Sequence, residues 1–187
     1  MEVVRRQFLA GATSAMMFDG VSPALAGTER QQNMADVKTY AAVAMQLAAR
    51  SVERAASKTA ARQQMMETIA SIEPKIRSAA IFVQQYAGSP VKLAVLPEYV
   101  LTSYPGRISI PDFADLAALE VDGPEYAAMG AMAQRLGLFI AGNAYEADRH
   151  FPGLYFQTSF IIAPSGDVVL RYRRLNSMFA PTPHDVW

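Results

Sequence analysis

VKLAVLPEYVLTSY, residues 91–104, is the stretch that decides the fold. Val91, Leu93 and Val95 alternate with Lys92, Ala94 and Leu96, so after one lysine both sides of the run are apolar. A short run of this kind is expected as a strand covered on both faces. Pro97 has no backbone N–H to give to a ladder and closes the strand. Glu98 is then a carboxylate at the end of a buried strand, where an unpaired charge is costly unless it keeps its proton or meets a cation. Two readings stay open: a glutamate exposed at the sheet rim, or one member of a functional pair.

Working outward, residues 40–48 (YAAVAMQLA) read as a first buried strand. Residues 57–70 lean towards helix. Residues 73–87 form a second, firmer helix, with Pro74 in its first turn, Gly88 at its end, and Ile76, Ala79, Ala80, Val83 and Ala87 as one apolar stripe. Residues 102–122, punctuated by Pro105, Gly106 and Pro111, read as a long lid-like loop. Gly123-Pro124 opens a helix that Gly137 closes, with Met129, Met132, Ala133 and Leu136 facing a sheet. Residues 138–144 are another buried strand, and 146–153 a polar connection containing His150. Residues 156–163 and 168–174 form a hairpin around Pro164-Ser165-Gly166-Asp167. This order indicates an α/β layered domain.

Within residues 168–174, straight alternation puts Val168, Leu170, Tyr172 and Arg174 on one face, and Val169, Arg171 and Arg173 on the other. The first face is apolar until it ends in a guanidinium and is expected to be buried. The second is expected to be wet. If this strand neighbours the Glu98 strand, a buried acid and a buried base meet at one end of the sheet, where α/β ligand sites gather. Spacing alone leaves a structural ion pair and a catalytic pair equally open.

The 187 residues are 51% hydrophobic and 18% charged, enough for one domain with a sizeable core. A formal net charge of zero argues against nucleic acid or an anionic membrane surface as the main partner. There is no cysteine, which excludes disulfides, thiolate metal sites and cysteine nucleophiles within the chain. His150 and His184 fit no metal-ligand spacing, so no metal is expected. At the N-terminus, Arg5-Arg6-Gln7-Phe8-Leu9 precedes a modest apolar run to Phe18 and a small-residue site, Pro23-Ala24-Leu25-Ala26. Residues 1–26 resemble a twin-arginine signal, which implies export to the periplasm or beyond. The apolar run is too short for a bilayer core of ~30 Å, so no membrane anchor is expected. Residues 27–39 then read as a linker and 40–187 as the folded part.

Three stretches also carry a family resemblance. Leu96-Pro97-Glu98-Tyr99 with Tyr104-Pro105, then Gly137-Leu138-Phe139-Ile140-Ala141-Gly142, then residues 157–166 running into Tyr172-Arg173-Arg174, resemble the nitrilase, or carbon–nitrogen hydrolase, superfamily. The resemblance covers roughly residues 40–187 in the right order. It implies an α-β-β-α sandwich, a Glu–Lys–Cys triad, no cofactor, and hydrolysis of amides, nitriles or carbamoyl groups through a thioester.

Carried over by position, Glu98 is implied as the general base, and Arg174 stands where the family has the lysine that holds the oxyanion. Arg173 matches an arginine often found beside that lysine and is read as solvent-facing, while Gln157 stands where asparagine is common. Tyr99 and Tyr104 are candidate pocket-lining residues. Asp185, in Pro183-His184-Asp185-Val186-Trp187, resembles in position a second glutamate of the aliphatic amidase and formamidase branch. The implied partners are a small amide or nitrile substrate and a second copy of the chain. The family's cysteine falls beyond Trp187, so the chain is expected to be a truncated, partial sandwich that is inactive by itself. The competing expectation is a non-catalytic relative kept as a binding or assembly module. A serine-based hydrolase is disfavoured, since no G-x-S-x-G occurs.

Overall fold

The computed structural model describes residues 39–175. The signal-like segment, nearly all of the linker, His184 and Asp185 lie outside the described residues. The elements are β1 (Ala41–Ala44), α1 (Lys58–Ala87), β2 (Val91–Val95), α2 (Ile110–Ala117), α3 (Pro124–Leu136), β3 (Phe139–Glu146), β4 (Phe156–Ile162) and β5 (Val168–Arg173). They form a mixed sheet in the order β1-β2-β3-β4-β5. The first three strands are parallel, and β4 and β5 add antiparallel.

Helices α1 and α3 pack on one another and on the sheet. Ala61, Met65, Ile69, Ile72 and Ile76 from α1 join Met129, Met132 and Ala133 from α3 in one core with Ala94, Ile140, Phe160 and Ile162 of the strands. The opposite sheet face is open among the described residues, with Val95, Phe139, Leu170 and Tyr172 at 38%, 39%, 45% and 60% exposure. Among the described residues β2 is therefore covered on one face, not two. What is present is one β-layer of the expected sandwich with its helices. Gly142 is required by this packing. Phe160 lies directly opposite on β4, and a Cβ at 142 would stand 2.6 Å from its ring.

Two elements differ from the sequence expectation. Residues 58–87 are one helix of 30 residues with Pro74 inside it, not two helices. A proline removes a single i→i−4 bond, and here Ile69 and Ile72 before it and Ile76 after it are all buried. Burial outweighs the break. The expected stripe fades towards the C-terminus, with Ile76 buried, Ala79, Ala80 and Val83 half-buried and Ala87 exposed. Residues 102–122 are not all loop, because they contain α2. Ser109 caps it, accepting from the Asp112 N–H at 3.3 Å, and Pro111 sits in the first turn, where its missing N–H is not needed.

An ion pair joins α1 to α3. Arg135 donates to both oxygens of Glu73, with its closest contact Nη2–Oε2 at 2.7 Å, and Arg77 adds a 3.0 Å bond. The Arg135 guanidinium holds the Glu73 carboxyl below its ordinary value of 4.5. Its stabilisation is complete above that value and is lost as pH falls through the lowered folded one. Glu73→Gln is expected to flatten that part of the acid limb in thermal melts run from neutral pH downwards.

β5 departs most from expectation. It does not neighbour β2, since β3 and β4 lie between them. A bulge between Ile161 and Ile162 brings Val168 opposite buried Ile162, while Arg171 and Arg173 face Phe160 and Thr158. Phe160 and Thr158 are buried against the helix layer at 2% and 0% exposure. The supposed wet face is thus the one turned towards the helix layer, and Leu170 and Tyr172 face the open side. The extra residue of the bulge shifts the alternation by one.

Candidate active site

After β2, Leu96 still donates to the Ala141 carbonyl at 2.8 Å, and the chain then reverses. The Tyr99 carbonyl accepts from the N–H groups of Thr102 and Ser103, at 3.1 and 2.8 Å. Tyr99 has φ 51° and Ser103 φ 61°, a left-handed backbone that costs a non-glycine residue roughly 1–2 kcal/mol. The reversal sends Tyr99 inward and leaves Glu98 at the surface. Inside, the Tyr99 ring stacks on Tyr145 at 4.3 Å and 9°, and Phe113 and Tyr155 meet Tyr145 edge-on at 5.0 and 4.9 Å. This aromatic block repays the strained turn by burial.

Gln157, 1% exposed on β4, links the block to the charges. Its Oε1 accepts from the Tyr99 hydroxyl at 2.7 Å and from Arg174 Nη1 at 3.1 Å. The same Nη1 lies 3.5 Å from Glu98 Oε1. The structure brings Glu98 and Arg174 together although two strands lie between theirs. The buried acid–base pair is corrected: the side chains are 58% and 43% exposed, so Glu98 is exposed at the rim, as one of its two readings had it, and still meets the cation. The open sheet face leaves them wet. Burial first, and then the neighbouring Glu98 charge, push the Tyr99 phenol up to about 12. It therefore stays protonated and serves as a donor to Gln157. Tyr104 is 60% exposed on the segment leading away, and Asp185 is not among the described residues. Among the described residues, no group of His, Asp and Glu is placed to hold a metal, and no helix is long and apolar enough to cross a membrane.

Two phenols in this block give opposite expectations. The Tyr155 hydroxyl is buried without a hydrogen-bond partner among the described residues, so Tyr155→Phe should be neutral or stabilising. Tyr99→Phe removes a made bond and should lower stability by about 0.5–1.5 kcal/mol. Urea unfolding of the two variants checks the contrast.

The reading of residues 146–153 as a polar connection missed Glu146, which is the last residue of β3 and wholly buried. Its carboxylate accepts from the Tyr126 hydroxyl at 2.5 Å, Thr158 Oγ1 at 3.0 Å and Arg171 Nε at 3.0 Å, with Arg173 Nε at 3.7 Å. Arg173 is correspondingly not solvent-facing. It lies over the Phe156 ring and donates to Asp148 at 2.8 Å. The His150 backbone N–H, followed by Arg173, holds the Asp148 carboxyl below its ordinary value. Two arginines at i, i+2 were the signal for a buried acid. A hollow of about 700 Å³ beside this network is lined by Glu120, Asp122, Asp148 and His150 among others, and by none of Glu98, Tyr99, Tyr104 or Arg174.

A helix-backed mixed sheet with an acid and a cation converging at its strand ends is an α/β fold with a candidate ligand-binding rim. The family description "Carbon-nitrogen hydrolase" matches residues 58–187, and the chain belongs to that family, within the nitrilase superfamily. Among solved structures, a carbon–nitrogen hydrolase from Helicobacter pylori G27 is 20% identical with a TM-score of 0.51, the match covering 73% of this chain and 40% of that one. An N-terminal amidase is 16% identical with a TM-score of 0.53, covering 74% of this chain and 28% of that one. The chain therefore spans well under half the length of these structures. At such identities the likeness shows the fold alone. No curated protein matches the chain.

Proposed function

We propose that the Glu98–Arg174 rim serves hydrolysis of a non-peptide carbon–nitrogen bond, in an amide rather than a nitrile or carbamoyl group. Glu98 takes the part of general base, and Arg174 that of the cation that holds the oxyanion. The observation that carries this reading is the 3.5 Å approach of Arg174 to Glu98, with Gln157 fixing the guanidinium. An arginine is permanently charged and donates through a planar fork, so it can stabilise an oxyanion while demanding a differently shaped pocket from lysine. The 187 residues contain no cysteine, so the nucleophile of a thioester route is not among them. By itself the chain supplies a base and a cation only.

A second reading, a non-catalytic binding or assembly module, is favoured by the arginine at the lysine position. Export through the twin-arginine route is a further proposal, resting on Arg5-Arg6 and the small-residue site at Ala24–Ala26 alone. Pairing of two copies rests on family resemblance alone.

The test of the site is binding. Titrating the labelled chain with a simple primary amide should shift NMR signals of Glu98, Tyr99 and Arg174, and Arg174→Ala should abolish the shifts. Shifts centred on the Glu120–His150 hollow instead would move the site there and sink this assignment.

A further inference from the structure

β5 is an edge strand of the described sheet, paired to β4 alone. None of its residues is buried. Where neither face of a strand is buried, apolar patterning specifies register weakly, and a slip of one residue turns every side chain over. Such a slip matters here. Arg171, Arg173 and Arg174 are three guanidiniums within four residues, and a slip replaces Arg174 beside Gln157 with Arg173 in one direction and with Leu175 in the other.

One group distinguishes the phases. Glu146 is on β3, so Arg171 and Arg173 reach it across the whole width of β4. In the observed phase the carboxylate meets both arginines. Shifted one way, the covered face presents Tyr172 and Arg174, and one arginine is left to it. Shifted the other way it presents Leu170 and Tyr172, and none is left. A wholly buried carboxylate tolerates neither shift cheaply.

We infer that Glu146 is a positioning residue: by holding Arg171 and Arg173 on the helix side, it sets the register of β5 and thereby aims Arg174 at Gln157 and Glu98. Buried ion pairs add little net stability, and specifying register is their best-attested use. The importance of Arg174 rests on the function proposed above, whereas the register does not.

The absence of cysteine makes register directly measurable. Ser159 and Tyr172 are directly opposed across β4 and β5 and are both exposed. Opposed residues in an antiparallel ladder lie about 4.5–5.5 Å apart, within disulfide range. Ser159→Cys/Tyr172→Cys in a glutathione redox buffer should cross-link readily when Glu146 is present. Glu146→Gln should lower the equilibrium constant for cross-linking about tenfold, because that constant scales with the fraction of molecules in the observed register and slipped registers would then leave it about one in ten. Should Glu146→Gln fail to fold, Arg173→Gln, which leaves Glu146 its bond to Arg171 and removes one of the two register contacts, should lower cross-linking in the same direction. A purely structural role would lower the melting temperature and leave cross-linking of the folded protein unchanged. Unchanged cross-linking in a folded variant overturns the inference, whether or not the rim binds amides. Failure of amide binding with a tenfold loss of cross-linking would sink the functional reading and leave the register role standing.

Discussion

Glu146→Ala is expected to cost the fold about 3–5 kcal/mol, the range for breaking a buried ion pair by removing one partner. A domain is typically stable by only about 5–15 kcal/mol, so most of the folded margin is at stake. The loss has three parts. The Tyr126 and Thr158 hydroxyls lose a buried acceptor. Arg171 loses its charge partner and keeps the Val121 carbonyl at 3.0 Å. Arg173 retains Asp148 at 2.8 Å, which limits the damage on its side. Glu146→Gln preserves volume and one acceptor oxygen and should cost visibly less than alanine. Urea unfolding reads both through the shift in midpoint at constant slope. A loss below ~1 kcal/mol for alanine, the scale of an exposed ion pair, would show that the network is not the anchor described here.

That acid was hard to see in the sequence for a definite reason. Glu146 follows the apolar run Leu138–Ala144 and precedes Asp148, Arg149 and His150, so it reads as the start of a solvated turn. Its burial depends on Tyr126, Thr158, Arg171 and Arg173, which come from three other elements. Arg171 and Arg173 were misread through the bulge at Ile161/Ile162, because a single inserted residue defeats a period-two argument. By contrast, α3 was legible from end to end. Gly123-Pro124 and Gly137 set both of its caps by backbone chemistry alone, and Met129, Met132 and Ala133 are buried as their spacing indicates. The division of 58–87 at Pro74 failed because a local breaker was weighed without the burial of the isoleucines around it.

The candidate rim was partly legible. Pro97 ends β2 and presents Glu98, as the run from Val91 to Leu96 indicates. The meeting of Glu98 with Arg174 was anticipated through adjacent strands and is reached by another route, with Gln157 spanning the gap from β4. The expectation that both charges are buried assumed cover on both sheet faces, and only the helix side is covered among the described residues. Tyr99 bends the chain by a left-handed turn. No residue pattern announces such a turn in a tyrosine.

On the proposed chemistry, the second large effect is catalytic silence. Glu98 can activate a thiol, but the chain contains none, and an unactivated amide resists attack by water assisted by a single carboxylate. Removing the nucleophile from groups that act as a unit forfeits roughly 10⁶-fold in rate. Among the described residues the half-exposed rim also lacks the dry surroundings in which Arg174 would stabilise an oxyanion strongly. The decisive measurement is ammonia release from simple amides by the purified 187-residue chain beside its Glu98→Gln variant. The account predicts that both release ammonia at the uncatalysed rate. Turnover by the parent chain that Glu98→Gln abolishes would contradict it, since the rim would then be complete without a thiol.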